Sequence, residues 1–225
     1  MNMKALLGIL LDFIFPPRCP VCRAYTERNG SWCPSCLAQT LRVRRLPLVR
    51  ELAISLDGVW ALSIYHSGMR RLILDLKYKQ KKHVLPFIRT FLTAAVPELP
   101  EELLEADLAI PVPLYKEKEK KRGFNQAEII FQDWLEGQAV SMQRILMRTR
   151  ETSPQYGLSV RMRQENLKDA FAVSAGGQQY HIKGQRILLL DDIFTTGATL
   201  ASCAAVLKKA GAQSVYALVL ASDHS

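Results

Sequence analysis

The sequence predicts an α/β domain, a mostly parallel sheet flanked by helices, with a small metal-binding unit in front of it. From about Asp57 onward, short apolar runs alternate with segments whose apolar residues recur at helical spacing, the pattern of strands and their covering helices. Before that point, four of the five cysteines lie between residues 19 and 36. We therefore expect an N-terminal helix and the cysteine unit in residues 1–50 and the α/β domain in residues 51–225.

Length and charge narrow the class of protein. The 225 residues suffice for one substantial core and a small appendage. A hydrophobic fraction of 48% without low-complexity tracts is typical of a folded protein rather than a disordered one. The net charge of +9 favours anionic partners, and the basic residues cluster at positions 42–45, 70–82 and 116–122. A solvated basic surface and an anion-binding surface both remain open at this point.

The first apolar segment, Lys4 to Phe15, is predicted to be an amphipathic helix. Asp12 interrupts it, and Pro16 and Pro17 stand where a signal peptide would have small residues for cleavage. The segment is also too short to span a bilayer. We expect this helix to dock on the protein, with no stable membrane insertion and a cytoplasmic location.

The cysteines form two Cys-x-x-Cys pairs, which predict a structural Zn²⁺ site. Each such turn can aim two thiolates at one point, and two turns supply the four sulfur ligands of a closed tetrahedral site. Disulfides are disfavoured where no export signal is expected, and a redox pair needs a single Cys-x-x-Cys beside a βαβ unit. The predicted zinc ligands are Cys19, Cys22, Cys33 and Cys36.

The second unit shows alternating strands and helices. Strands are predicted at residues 58–65, 106–112, 186–190 and 214–221, and helices at 71–77, 83–96, 125–136 and 198–210. In parallel sheets ligands bind outside the carboxyl ends of the strands. The loops after Val112 and Leu190 are therefore the predicted binding loops.

The loop after Leu190 has the composition of a site for a phosphorylated sugar. Two acids can accept hydrogen bonds from a ribose diol or bind Mg²⁺ through water, and a Thr-Thr-Gly turn before a helix exposes backbone N–H groups to an anion. A plain strand-to-helix connection would account for only one acid and one threonine. The run consists of Asp191, Asp192, Ile193, Phe194, Thr195, Thr196, Gly197, Ala198 and Thr199.

This run resembles the phosphoribosyl pyrophosphate (PRPP) motif of type I phosphoribosyltransferases: a hydrophobic strand, two acids, then Thr-Thr-Gly-x-Thr. Other stretches narrow the resemblance to the ComF family, in which a cysteine zinc ribbon precedes a phosphoribosyltransferase domain. The resemblance covers essentially the whole chain and follows the family's order. The matching stretches are Phe15 to Cys19, Leu76-Lys77-Tyr78, Ile110 to Pro113, Arg122 to Ala127 and Arg150 to Phe171.

The resemblance implies a type I phosphoribosyltransferase fold and assigns roles to residues. Asp191, Asp192 and Arg122 are the implied catalytic residues, because cations aimed at the leaving diphosphate stabilise charge that develops in the transition state. PRPP with Mg²⁺ is expected to bind the whole Asp191–Thr199 run, together with Pro111, Val112, Lys77 and Gly123. The stretch from Arg148 to Asn166 resembles a segment that folds over bound PRPP, where Gln155, Arg161 and Arg163 could touch the ligand.

Two functions of different class follow. The first is an enzyme that transfers ribose 5-phosphate from PRPP to an acceptor that the sequence does not identify. The second is a non-catalytic factor that binds single-stranded DNA and keeps the PRPP site as a sensor or relic. By resemblance, ComF proteins act in natural competence, in the uptake of transforming DNA, beside a competence DNA helicase. The expected partners are therefore PRPP, single-stranded DNA and that helicase.

Overall fold

A computed structural model of the protein describes residues 16–151 and 169–224. The predicted helix from Lys4 to Phe15 lies outside the described residues. So do Gln155, Arg161 and Arg163, which the resemblance placed near the ligand.

The described residues form one large sheet and one small one. The large sheet contains β1 (Leu41–Arg45), β2 (Gly58–Ser63), β3 (Leu108–Pro111), β4 (Ser141–Met142), β7 (Arg186–Phe194) and β8 (Ser214–Ser222). Its strand order is β1-β2-β8-β7-β3-β4, with β1 antiparallel to β2 and every other pair parallel. The small antiparallel sheet pairs β5 (Leu146–Arg148) with β6 (Phe171–Val173). This arrangement confirms the predicted mostly parallel α/β fold.

Helices cover both faces of the large sheet. The α-helices of the described residues are α1 (Pro34–Thr40), α2 (Arg50–Ala53), α3 (Ser67–Lys79), α4 (Leu85–Ala95), α5 (Glu101–Leu104), α6 (Lys116–Arg122), α7 (Gln126–Glu136) and α8 (Ala198–Lys209). Apolar residues of α3, α4 and α7 pack on one face of the large sheet and form one core with it. Apolar residues of α2 and α8 form a second core on the opposite face. The central strands are therefore buried on both sides, as in parallel sheets generally.

Strand β7 shows why this chain segment forms a central strand. Its side chains alternate between the faces, so Leu188 and Leu190 enter one core while Ile187 and Leu189 enter the other. The prediction that the strand ends at Leu190 is wrong, because the ladder with β8 continues to Phe194. A parallel ladder pairs backbone groups, so the change from apolar to acidic side chains does not stop it.

The cysteine segment packs against the α/β core. Gly68 in α3 admits the close approach of Val21, since an added Cβ there would lie 2.4 Å from a Val21 methyl carbon. The Trp32 indole donates a hydrogen bond of 2.8 Å to the carbonyl of Phe87, and its ring lies 5.5 Å from that of Phe91. The metal-binding segment and helices α3 and α4 therefore share one apolar core.

The described residues include no helix that combines the length and apolarity needed to cross a membrane.

Candidate functional site

The four cysteines predicted as zinc ligands lie together. Their sulfur atoms all lie within 4.8 Å of one another, and Cys22 Sγ and Cys33 Sγ are 3.6 Å apart. Zinc–sulfur bonds of about 2.3 Å in a tetrahedron require sulfur–sulfur distances of about 3.8 Å. The cluster therefore fits one Zn²⁺ ion, and its four thiols complete the coordination shell and leave no open position for a substrate.

Local backbone structure aims these thiols inward. The first pair sits on a tight turn in which Cys19 N donates to Ala24 O at 2.9 Å and Arg23 has a φ of 66°. The second pair spans the start of α1, with Cys33 as its N-cap residue. Burial raises the pKa of Cys19, but hydrogen bonds from nearby backbone N–H groups outweigh it and lower that pKa to about 6. Such donors stabilise the thiolate that binds zinc.

The two acids predicted to bind ribose lie together near the carboxyl end of β7. Asp192 is buried, and its carboxylate forms an ion pair of 2.6 Å with Lys77 Nζ from α3. Desolvation lowers the pKa of Lys77, but the charge of Asp192 and the hydrogen bond to it outweigh desolvation and hold that pKa above its ordinary value. Lys77 is therefore a cation fixed next to the acids.

Asp191 is in a different electrostatic state from a surface carboxylate. Its Oδ1 accepts a hydrogen bond of 2.8 Å from the backbone N–H of Asp192. Burial, followed by the charge of Asp192, raises the pKa of Asp191 to about 8, although Lys77 opposes the rise. Two close carboxyl groups beside one lysine cannot both ionise cheaply. Asp191 therefore keeps its proton at neutral pH.

The predicted phosphate-binding turn, residues 195–199 and called the phosphate loop below, follows the strand that carries these acids. Gly197 has a φ of 72° and precedes α8 as its N-cap residue. A Cβ at this position would lie 2.7 Å from the Phe194 ring and 2.8 Å from a Leu52 methyl carbon. Glycine is required here by both its backbone conformation and the packing beneath it.

This loop encloses a small cavity at the N-terminus of α8. The cavity has a volume of about 30 Å³, room for a group somewhat larger than a water molecule. Its walls combine an acid, three large apolar residues and the turn of small and hydroxyl residues: Asp191, Ile193, Phe194, Thr195, Thr196, Gly197, Ala198, Thr199 and Leu200. The predicted run from Asp191 to Thr199, apart from Asp192 on the Lys77 side, therefore lines one concave surface.

Strand β3 ends beside this site. Pro111 pairs with Leu190, and Val112 N donates a hydrogen bond of 2.9 Å to the carbonyl of Leu190. Both Pro111 and Val112 are buried, so this loop offers a ligand mainly its backbone. The structure therefore places the two predicted binding loops on adjacent strands.

The predicted basic residue Arg122 lies at the end of α6. Its guanidinium donates to the side-chain carbonyl of Gln126, so α7 rather than β7 holds it. Gly123, with a φ of 81°, ends α6 in the left-handed conformation. The structure thus brings Lys77 to the acids and leaves Arg122 bound to a neighbouring helix.

Comparisons with known proteins agree with this geometry. Residues 10–47 match a double zinc ribbon domain, and residues 157–225 match a phosphoribosyl transferase domain. DNA utilization protein YhgH of Shigella flexneri is 30% identical over 206 residues, covering 88% of this chain and 86% of the relative. The chain belongs to the ComF family.

Two other ComF-family relatives match over similar lengths. Competence protein F of Haemophilus influenzae is 28% identical over 210 residues, covering 91% of this chain and 84% of the relative. Competence protein ComFC of Bacillus subtilis is 24% identical over 204 residues, covering 90% of this chain and 76% of the relative. The family match therefore extends over both the zinc ribbon and the α/β domain.

Sequence reasoning missed one buried residue of this ComF-family site. Asn125 Nδ2 donates to the carbonyl of Val112 at 2.9 Å, and its Oδ1 accepts from Ala127 N at 2.9 Å. One side chain therefore ties the loop after β3 to the start of α7. An Asn before a helix signals an N-cap, but the bond to Val112 joins separate elements and leaves no pattern in the sequence.

Basic residues flank the site on its outer side. The end of α3 is tied to the end of α6 by a hydrogen bond of 3.2 Å from Gln80 Nε2 to the carbonyl of Lys121. Lys120 and Lys121 are exposed there, and Lys82 Nζ lies 5.1 Å from the centre of the Phe124 ring. The C-terminal ends of the basic clusters at positions 70–82 and 116–122 therefore lie next to each other.

Proposed function

We propose that this protein binds PRPP with Mg²⁺ at the carboxyl ends of β3 and β7 and transfers ribose 5-phosphate from it. The observation that carries the proposal is the close pair Asp191 and Asp192, held by Lys77 and followed by the phosphate loop. The 5-phosphate is assigned to the backbone N–H groups and hydroxyls of residues 195–199, where the positive end of the α8 dipole favours an anion. The ribose diol is assigned to the two acids.

The residues have distinct tasks in this proposal. Mg²⁺, when bound with the substrate, supplies positive charge that offsets the diphosphate. Asp191 gives up its proton as that charge arrives and then accepts hydrogen bonds from the sugar. Lys77 holds the Asp192 carboxylate in position through their ion pair. Arg122 must leave Gln126 to reach the diphosphate, so its assignment as a leaving-group cation requires a rearrangement of that side chain.

Transfer is tested by release of diphosphate. The protein is incubated with PRPP, Mg²⁺ and candidate nucleophiles, and the rate is compared with that of the Asp191→Ala, Asp192→Ala double variant. Lys183→Gln serves as the control, because Lys183 is an exposed residue just before the amino end of β7. We expect release by the wild type and the control only. Equal rates in wild type and double variant would show that the acids do not catalyse transfer.

A second function is favoured by the basic surface at the ends of α3 and α6. We propose that it holds single-stranded DNA by phosphate contacts, in keeping with relatives named for competence and DNA utilization. If the PRPP site does not turn over, it serves this function as a sensor or relic. The proposed partner is a competence DNA helicase, and the proposed location is the cytoplasm. We also propose that the chain divides into an N-terminal zinc-ribbon unit, residues 1–50, and the phosphoribosyltransferase-like domain, residues 51–225.

The salt dependence of binding tests the DNA interface. Each lysine that neutralises a phosphate of single-stranded DNA contributes about 0.7 to the slope of log affinity against log salt. Lys120→Gln with Lys121→Gln should therefore reduce the slope by about 1.4, and Lys183→Gln should leave it unchanged. No binding at low salt, or the same slope for all three proteins, would exclude this surface.

A further inference from the structure

Residues after β8 return to the phosphate loop and contact its backbone. His224 Nε2 is hydrogen-bonded to the carbonyl oxygen of Thr195. The imidazole also packs edge-on against the Phe194 ring, with 5.5 Å between ring centres and an interplanar angle of 67°. The His224 side chain therefore touches the last residue of β7 and the first residue of the phosphate loop.

His224 is itself held by two hydrogen bonds from different directions. Arg44 of β1 donates to the His224 carbonyl at 2.5 Å. The His224 backbone N–H donates to Ser222 Oγ at 3.0 Å, and Ser222 is fully buried at the end of β8. These bonds connect the edge strand β1, the end of β8 and the phosphate loop through one residue, so the imidazole has a defined position although it is exposed.

The hydrogen bond from His224 to the Thr195 carbonyl also orients the backbone N–H of Thr196. A carbonyl oxygen only accepts, so Nε2 must carry the proton and donate. In a planar trans peptide the C=O of Thr195 and the N–H of Thr196 point in opposite directions. Fixing the Thr195 oxygen towards His224 therefore fixes the Thr196 N–H on the other side of the loop. Hydrogen bonding to the oxygen also polarises the peptide and strengthens its N–H as a donor.

We infer that His224 is a positioning residue for the phosphate loop, which holds the Thr195–Thr196 peptide so that Thr196 N–H is presented to a phosphate group. The inference rests on the proposed function, because it names the 5-phosphate of PRPP as the group presented with this amide. It goes further in assigning a role to a residue outside the loop, which acts through the Thr195 carbonyl.

Two variants separate the hydrogen bond from the ring packing. His224→Phe keeps an aromatic ring against Phe194 and removes the donor. His224→Gln removes the ring and keeps an N–H donor at a similar reach. Asp223→Asn changes the exposed neighbour and is the control. Binding of inorganic phosphate, ribose 5-phosphate and PRPP with Mg²⁺ is measured by calorimetry, and thermal unfolding confirms that each variant is folded.

We expect His224→Phe to weaken all three ligands about five-fold, the effect of one net hydrogen bond, and His224→Gln to stay within about two-fold of wild type. Backbone amide spectra of the free protein should show the Thr196 N–H resonance displaced in His224→Phe and restored in His224→Gln. Wild-type affinity in His224→Phe, or equal losses in both variants, overturns the inference while PRPP binding stands. A wild type that binds none of the ligands overturns the proposed function instead.

Discussion

Replacing Asp191 by Asn should make the protein more stable and its PRPP site weaker. Burial and the charge of Asp192 raise the pKa of Asp191 to about 8, from an ordinary value of 3.8. Asn keeps the side-chain oxygen that accepts from the Asp192 N–H. Its NH₂ group can donate to the Asp192 carboxylate, a role for which wild-type Asp191 must bind a proton. The change therefore removes an electrostatic cost without removing a hydrogen bond.

The sign and size of the effect depend on pH. Between about pH 4 and pH 8 the folded protein keeps a proton on Asp191 that the unfolded chain has lost. The folded state binds more protons there, so its stability falls as pH rises through that window and levels off above it. Each unit of pKa is worth 1.36 kcal/mol, which sets an upper limit of about 6 kcal/mol at pH 8. The effective dielectric constant of a protein site is higher than that of a dry interior, because nearby dipoles and water relax around the charge. We therefore expect a stability difference between the variant and wild type of about 2 to 4 kcal/mol at pH 8.

Urea unfolding at pH 4, 6 and 8 measures the difference. The advantage of Asp191→Asn over wild type should be close to zero at pH 4 and largest at pH 8, whereas Glu98→Gln, a change at an exposed carboxylate, should show no such trend. Binding should move the other way, with a greater loss for PRPP and Mg²⁺ than for inorganic phosphate, which has no diol. A variant that is no more stable than wild type at pH 8, or that runs parallel to it at all three values, refutes the electrostatic description of the site.

Three further predictions concern the supports of the two sites. Gly197→Val should lower the free energy of unfolding by about 2 to 5 kcal/mol, because it adds left-handed strain to overlap in the core. Gly184 has a φ of 77° and, beyond its chain neighbours, no atom of residues 16–151 or 169–224 within 4 Å of an added Cβ, so Gly184→Ala should cost only about 1 kcal/mol in urea unfolding. Equal losses in the two variants would contradict the packing argument. Lys77→Met leaves Asp192 buried without its cation and should lower the free energy of unfolding by about 3 to 5 kcal/mol. Adding Asp192→Leu should restore most of that loss. A double variant as unstable as the single one argues against the ion pair. Metal analysis should find one zinc per chain in the wild type and none in Cys36→Ser. The melting temperature of this variant should fall, and its tryptophan fluorescence should change. A wild type that is fully stable without metal contradicts the zinc site.

The fold could be predicted because its central strands carry their signal locally. Segments such as Ile187 to Leu190 are apolar at every position, as expected of a strand that is covered on both sides. The phosphate loop was predictable for a related reason, since the acids, threonines and glycine proposed to bind one ligand are consecutive in the chain. The zinc ligands were predictable from their spacing alone.

The rest of the site depends on contacts between distant elements. The end of β7 was misplaced because its last residues are held by backbone pairing with β8, to which acidic side chains are no obstacle. Lys77 was predicted only from the family resemblance. Its ion pair with Asp192 depends on the position of α3 relative to β7, which the sequence does not specify. Asn125 and His224 act through backbone carbonyls of other segments, and a carbonyl is present at every residue, so the sequence contains no mark of which one is used.

Calorimetric titration of the intact protein with PRPP and Mg²⁺ tests the central claim most directly. Ribose 5-phosphate, inorganic phosphate and ATP are titrated in parallel, and the same series is repeated with the Asp191→Ala, Asp192→Ala variant. We predict one PRPP per chain, weaker binding of ribose 5-phosphate, no comparable binding of ATP, and loss of the preference for PRPP in the variant. Equal affinity for ATP and PRPP, or PRPP binding that is unchanged in the variant, would contradict the assignment of this site.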